Sequence, residues 1–228
     1  MKYVRKGNEC KELRDWKRSN ATSPQNIHYD NLSSIVRQAM LKKLVKEQGG
    51  ICAYTMQSLA AWNGTLQVHI EHIYPRSKHP TQTLDWTNLL ACVPHHNSHC
   101  DYGAKLKDKY DPAKKPFVSP TLGSVATLFR YRETGLVEGL TPEAVATTSE
   151  KVLNLNHANL LNDRRGKIRG ALATNPSAAQ ARERARQLRK VDSAGNFEPY
   201  CEAVAQVLDA YATRLEKRAI RTAGTKRQ

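Results

Sequence analysis

Residues 49–105 restrict this chain more than any other stretch of it. They include GGICAYT, then HIEHIYPRS, then LDWTNLLACVPHHNSHCDYGAK. Glu71-His72 stands ahead of Pro75, Asn88 follows His72 by sixteen residues, and His, Cys, Asn and Asp crowd together over residues 92–101. Metal-assisted hydrolysis of a phosphodiester takes a general base for water, a group that orients the base, and a few hard or borderline ligands for a cation. Residues of all three kinds fall within about fifty positions here, so this stretch is expected to fold around one catalytic centre.

The surrounding periodicities give the frame. Leu66, Val68 and Ile70 alternate with Gln67, His69 and Glu71, which predicts a half-buried strand running into the Glu-His pair. Strict alternation points Glu71 and His72 to opposite faces, and Pro75 supplies a bend that would let both serve one site. Upstream, Asp30 is expected to cap a helix through Gln48 with Leu32, Ile35, Val36, Ala39, Met40 and Leu44 on one face, ended by Gly49-Gly50. Downstream, residues 125–131 alternate again, Glu133-Thr134-Gly135 marks a hairpin turn, and Val137 lies on the return.

From Thr141 the period becomes helical. Leu160, Leu161, Ile168 and Leu172 suit one helix, and residues 178–191 form a second, rich in Arg. Pro199 opens a third, with Cys201, Val204, Leu208, Tyr211 and Leu215 at three/four spacing. That stripe is a helical core or a docking face, with Cys201 a small buried hydrophobe. The expected fold class is α+β, in three segments: an N-terminal arm and helix over 1–48, a core with its hairpin over 49–140, and a helical region over 141–228.

The formal charge is +15, from 36 Lys and Arg against 21 Asp and Glu. Such an excess favours a polyanionic partner through counterion release and steering. No apolar run approaches membrane-spanning length, and the first residues, MKYVRKGNEC, lack the apolar core of a secretory signal. The five cysteines form an odd set, which places the chain in a reducing cytoplasm where clustered cysteines bind metal more often than they pair.

Within the cluster, His72 is the expected base, because imidazole titrates near neutrality and accepts a proton from water. Glu71 beside it is the expected carboxylate ligand for a divalent cation. Trp86 and Leu89 read as core.

These motifs resemble the HNH nuclease family, whose ββα-metal core carries a His base, an Asn and a final metal-binding position. The resemblance implies that Asn88, in DWTNLL, holds the loop that carries the base. It implies Mg²⁺ or Mn²⁺ as cofactor and DNA as substrate. The third position departs from the commonest pattern: His96, Asp101 and Asn97 each align with it, depending on whether the match runs from Cys92 or from Cys100 and Lys105. Many members brace the core with two Cys-x-x-Cys pairs around zinc. Here Thr55 stands where a second cysteine would follow Cys52, leaving Cys52, Cys92 and Cys100 with His95 or His99 to complete a structural Zn²⁺ site.

GGICAY, IEH with Pro and Arg-Ser, DWTNLL, HCDYGAK and the later LNLNHANLLNDRRGKI together resemble the HNH subunit of Septu anti-phage systems, related proteins of which accompany some retrons. The likeness spans about residues 30–170 and implies an ABC-type ATPase as partner subunit. The chain has no Gly-rich nucleotide-binding loop of its own. Two rivals remain: a stand-alone HNH restriction or homing enzyme, and a non-catalytic zinc-ribbon DNA-binding module.

Overall fold

Two glycines set the first turn of the computed structural model, which describes residues 1–62, 65–95 and 97–225. Gly49 and Gly50 take φ of +60° and +70°, just past the end of α2 (Ser34–Glu47). A Cβ at either position would meet Phe197 at 2.5 Å or Asn196 at 2.6 Å, so only glycine lets the chain turn beneath that later segment. The contact is hydrogen-bonded: Phe197 N donates to Gly49 O (2.8 Å) and Tyr200 N to Met56 O (3.0 Å).

Helix α2 starts later than its sequence suggests. Ser33, not Asp30, is the cap, its hydroxyl accepting from Val36 N, while Asp30 belongs to a separate 3₁₀ turn, Tyr29–Asn31. Leu32 in between is extended and buried. The inward face is Val36, Met40 and Leu44; Ile35 is 74% exposed because the cap position rotates it to the solvent side. The shorter α1 (Lys11–Ser19) packs on α2 and buries Leu13.

The strands are short and antiparallel. β1 (Ala61–Trp62) pairs with β2 (Thr65–Leu66), β3 (His69–His72) with β4 (Leu89–Cys92), and β5 (Phe129–Tyr131) with β6 (Val137–Gly139). The expected run from Leu66 to Glu71 is therefore broken at Gln67-Val68, with Val68 buried. Only Phe129–Tyr131 of the second alternating stretch is strand; Val125–Leu128 is a 3₁₀ turn. The β5–β6 hairpin turns through Gly135 at φ +87°. A one-turn helix, α3 (Ala104–Lys107), follows β4.

Helices α4 (Pro142–Thr148), α5 (Ala158–Leu172), α6 (Ala178–Leu188) and α7 (Cys201–Thr225) complete the order. Thr141 caps α4, and Ser177 with Gln180 closes α6 in a capping box. α6 lies along α7, both lined by buried alanines (Ala181 and Ala185; Ala205 and Ala212) that let the axes approach closely. Cys201, Val204 and Leu208 are buried in the chain's own core, so this part of the stripe is not left open for a partner. The fold is thus mixed, helices with small antiparallel sheets, and one continuous cluster of buried side chains draws on residues from all three segments. No helix of the described residues is long and apolar enough to cross a membrane.

Candidate active site

The β3–β4 register brings the two central motif residues together. Glu71 pairs with Leu90 and His72 with Leu89, so His72 ends one strand and Asn88 immediately precedes the other. Residues 73–88 leave and return at that end, and Ile73 N donates to Asn88 O at 2.9 Å. The buried Asn88 side chain spans the loop: Oδ1 accepts from Tyr74 N (2.7 Å), and Nδ2 donates to Tyr74 O (3.2 Å) and Gln82 O (3.0 Å). Asp85 caps the 3₁₀ turn Trp86–Asn88 that delivers Asn88, accepting from Thr87 N.

Asn88→Ala would remove the partner of a part-buried donor and of two carbonyls. The expected cost is about 2–3 kcal/mol. Urea denaturation should show that loss, together with faster hydrogen exchange at the Tyr74 amide. Unchanged exchange there would mean that Asn88 does not brace the loop.

The same loop fixes His72. Its Nε2 lies 3.0 Å from Thr83 O. A carbonyl only accepts, so Nε2 carries the hydrogen and the Nδ1 lone pair is the atom able to take a proton. His72 is 7% exposed, with the Tyr29 ring edge-on at a centroid distance of 4.9 Å. Burial lowers its pKa to about 4; the Thr83 bond opposes that shift, and the charges of Arg76 and Lys107 add to it.

The depressed pKa sets a pH window. An unfolded chain protonates this imidazole below about 6.5, whereas the folded one resists until about 4, so the unfolded state holds more protons in between. Stability should therefore fall with pH across that window, by about 3 kcal/mol from this residue. Urea midpoints of wild type and His72→Gln, measured against pH, should differ by a margin that shrinks toward acid. A constant margin would refute the burial account.

Glu71 points elsewhere. Its Oε1 accepts from Lys107 Nζ at 2.9 Å and from the Tyr54 hydroxyl at 3.3 Å, and the lysine side chain is fully enclosed. Lys107 also donates to His72 O at 3.0 Å. Glu71 Oε1 is thus already committed to an internal cation, which leaves Oε2 as the oxygen outside these bonds.

Of the third-position candidates, two are described. His96 lies outside the described residues. Asn97 is exposed, its amide on His95 Nδ1 at 3.5 Å, and Asp101 is exposed beside His99 at 3.5 Å. The expected zinc ligands assemble only in part. Cys52 and Cys92 are buried and within hydrogen-bonding contact, but Cys100 is drawn to Tyr102 instead. Thr55 fills the place of the missing cysteine with a hydroxyl that hydrogen-bonds Cys52. Burial raises the Cys52 thiol, yet the bonds from Cys92 and Thr55 outweigh it and bring the group down to about 6. Among the described residues, no group of three or more His, Cys, Asp or Glu side chains is placed to hold a metal ion. Among the described residues, neither the Zn²⁺ set nor the Mg²⁺ or Mn²⁺ set is gathered into such a group.

Several groups around His72 carry no motif signal. Lys107 and Tyr54 fall outside any ligand spacing, and Arg76 appears in HIYPRS without a role assigned by its spacing. His79 Nε2 is 2.9 Å from Asp111 Oδ1, a buried carboxylate whose Oδ2 has no hydrogen-bond partner among the described residues. That pair joins the loop to residues beyond α3, a tertiary meeting that spacing does not encode. No family model matches the chain, and a search among curated proteins finds no match.

Proposed function

We propose that this chain is an HNH-type endonuclease hydrolysing DNA phosphodiester bonds, the effector subunit of an anti-phage complex with an ABC-type ATPase. The observation that carries the reading is the brace: Asn88 locks residues 73–88, and Thr83 of that loop fixes the tautomer of His72. A neutral imidazole with a defined lone pair is what a water-activating base requires.

In the reaction, Nδ1 takes a proton from water as the oxygen attacks phosphorus, and the bond to the leaving oxygen breaks. The imidazolium so formed keeps its Nε2–H on the Thr83 carbonyl, which stabilises the new charge. Lys107 holds the strand end through His72 O, limiting movement of the base. The net charge of +15 supplies attraction for the backbone. Dependence on Mg²⁺ or Mn²⁺ belongs to this reading through the family resemblance, and no step is assigned to the cation.

The ATPase partner rests on the same resemblance. The buried start of the Cys201–Leu215 stripe adds nothing to it, while Ile220 further along α7 is 72% exposed. The test is cleavage of plasmid and single-stranded DNA by the purified chain, alone and with the ATPase encoded beside it, with each cation and with chelator. Cleavage that needs the neighbour supports the two-subunit form. Full cleavage by the chain alone would replace it with a stand-alone enzyme, and none in any mixture would overturn the nuclease reading.

A further inference from the structure

A single aromatic side chain lies between His72 and two guanidinium groups. Tyr29 meets the His72 ring by its edge, while Arg76 Cζ is 4.6 Å and Arg37 Cζ 5.3 Å from the Tyr29 centroid. Arg76 Nη1 donates to Asp30 Oδ1 at 2.5 Å. Arg37 Nη2 donates to the carbonyls of Tyr29 (3.2 Å) and Asp30 (2.9 Å), and its buried Nε has no hydrogen-bond partner among the described residues. His28 Nδ1, 3.5 Å from Asp30 Oδ2, is the remaining titratable neighbour that contacts this carboxylate.

We propose that Arg76 and Arg37 form a binding site for the phosphodiester of a nucleic-acid backbone, which Asp30 fills as an internal anion while Tyr29 closes over His72. The site deepens the nuclease reading, on which it rests for the identity of the anion. A guanidinium fork suits phosphate oxygens as well as carboxylate; here Arg76 holds the Asp30 carboxylate, while Arg37, stacked on the same Tyr29 ring, is bound to the Tyr29 and Asp30 backbone carbonyls. Asp30 is 63% exposed at its side chain, so its hold on Arg76 is weak and a polyvalent competitor displaces it. Displacement frees the Tyr29–Asn31 turn from the Arg76 side and admits water to His72.

The test is fluorescence anisotropy of a labelled DNA duplex with the full chain at low salt. Asp30→Asn should bind about 1.5- to fivefold more tightly than wild type, the range expected for freeing one exposed ion pair. Asp15→Asn, which unpairs Arg18 at a similarly exposed site, controls for the change in net charge. Arg76→Gln should weaken binding on the order of tenfold, and Asp30→Asn should add nothing in that background. Equal affinities for Asp30→Asn and Asp15→Asn, or no binding by any variant, would overturn the site. Cleavage by wild type without an Asp30 effect would sink the internal anion and keep the nuclease; Asp30-dependent binding without cleavage would do the reverse.

Discussion

His72→Ala is expected to lower DNA cleavage by about 10²- to 10⁴-fold, the range over which a positioned base contributes. The loss should fall on kcat, because the imidazole acts on the attacking water and the backbone is held by Lys and Arg side chains. DNA affinity measured by anisotropy should stay within about twofold of wild type. Alanine also leaves a gap beneath Tyr29 and removes the bond to Thr83 O, so melting temperature must be followed in parallel. His72→Gln fills much of that space while lacking a basic nitrogen, and it should be equally inactive. Cleavage retained by a folded His72→Gln protein would remove the base from this site altogether.

Lys107→Met is expected to destabilise the fold by about 3–5 kcal/mol. The ammonium is fully enclosed and serves two acceptors, Glu71 Oε1 and His72 O. Taking it away leaves a carboxylate in the interior with the Tyr54 hydroxyl as its remaining donor at Oε1. The Glu71→Gln/Lys107→Met double variant removes both charges and should recover much of the loss. Urea unfolding of both single variants and the double gives the coupling directly. Additive costs would mean that the two side chains do not act as a pair. The same cycle bears on catalysis: a double variant that still cleaves would show that Glu71 is no obligatory ligand.

The legible parts of this molecule are those written in adjacent residues. Gly49-Gly50 and the Gly135 hairpin turn are local conformational demands, and sequence states them plainly. The meeting of His72 and Asn88 is almost as local, because a strand, a loop and a return strand bring them together. Asp30 was harder, since both Asp30 and Ser33 are good caps and Leu32 between them decides which is used by going inward in extended form. The unbroken strand expected up to Glu71 fails because the β1–β2 and β3–β4 ladders divide at Gln67-Val68. Glu71 reads as a metal ligand from its neighbours, yet a lysine from α3 claims it. No period or spacing announces that pairing, nor the stacking of Tyr29 between His72 and two arginines. The third position stays open among His96, Asn97 and Asp101, and His96 lies outside the described residues.

The closure of residues 49–56 by Phe197 and Tyr200 bears on how the protein is made. A ribosome releases the glycine turn long before it releases the segment that completes it. Until residue 200 emerges, Gly49 O and Met56 O lack their donors, and the turn beside Cys52 has no cover. Closure of this turn is therefore a late, non-local event, slow by the measure of sequence separation. A nascent or prematurely terminated chain that stops short of Phe197 holds the glycine turn without the donors that close it.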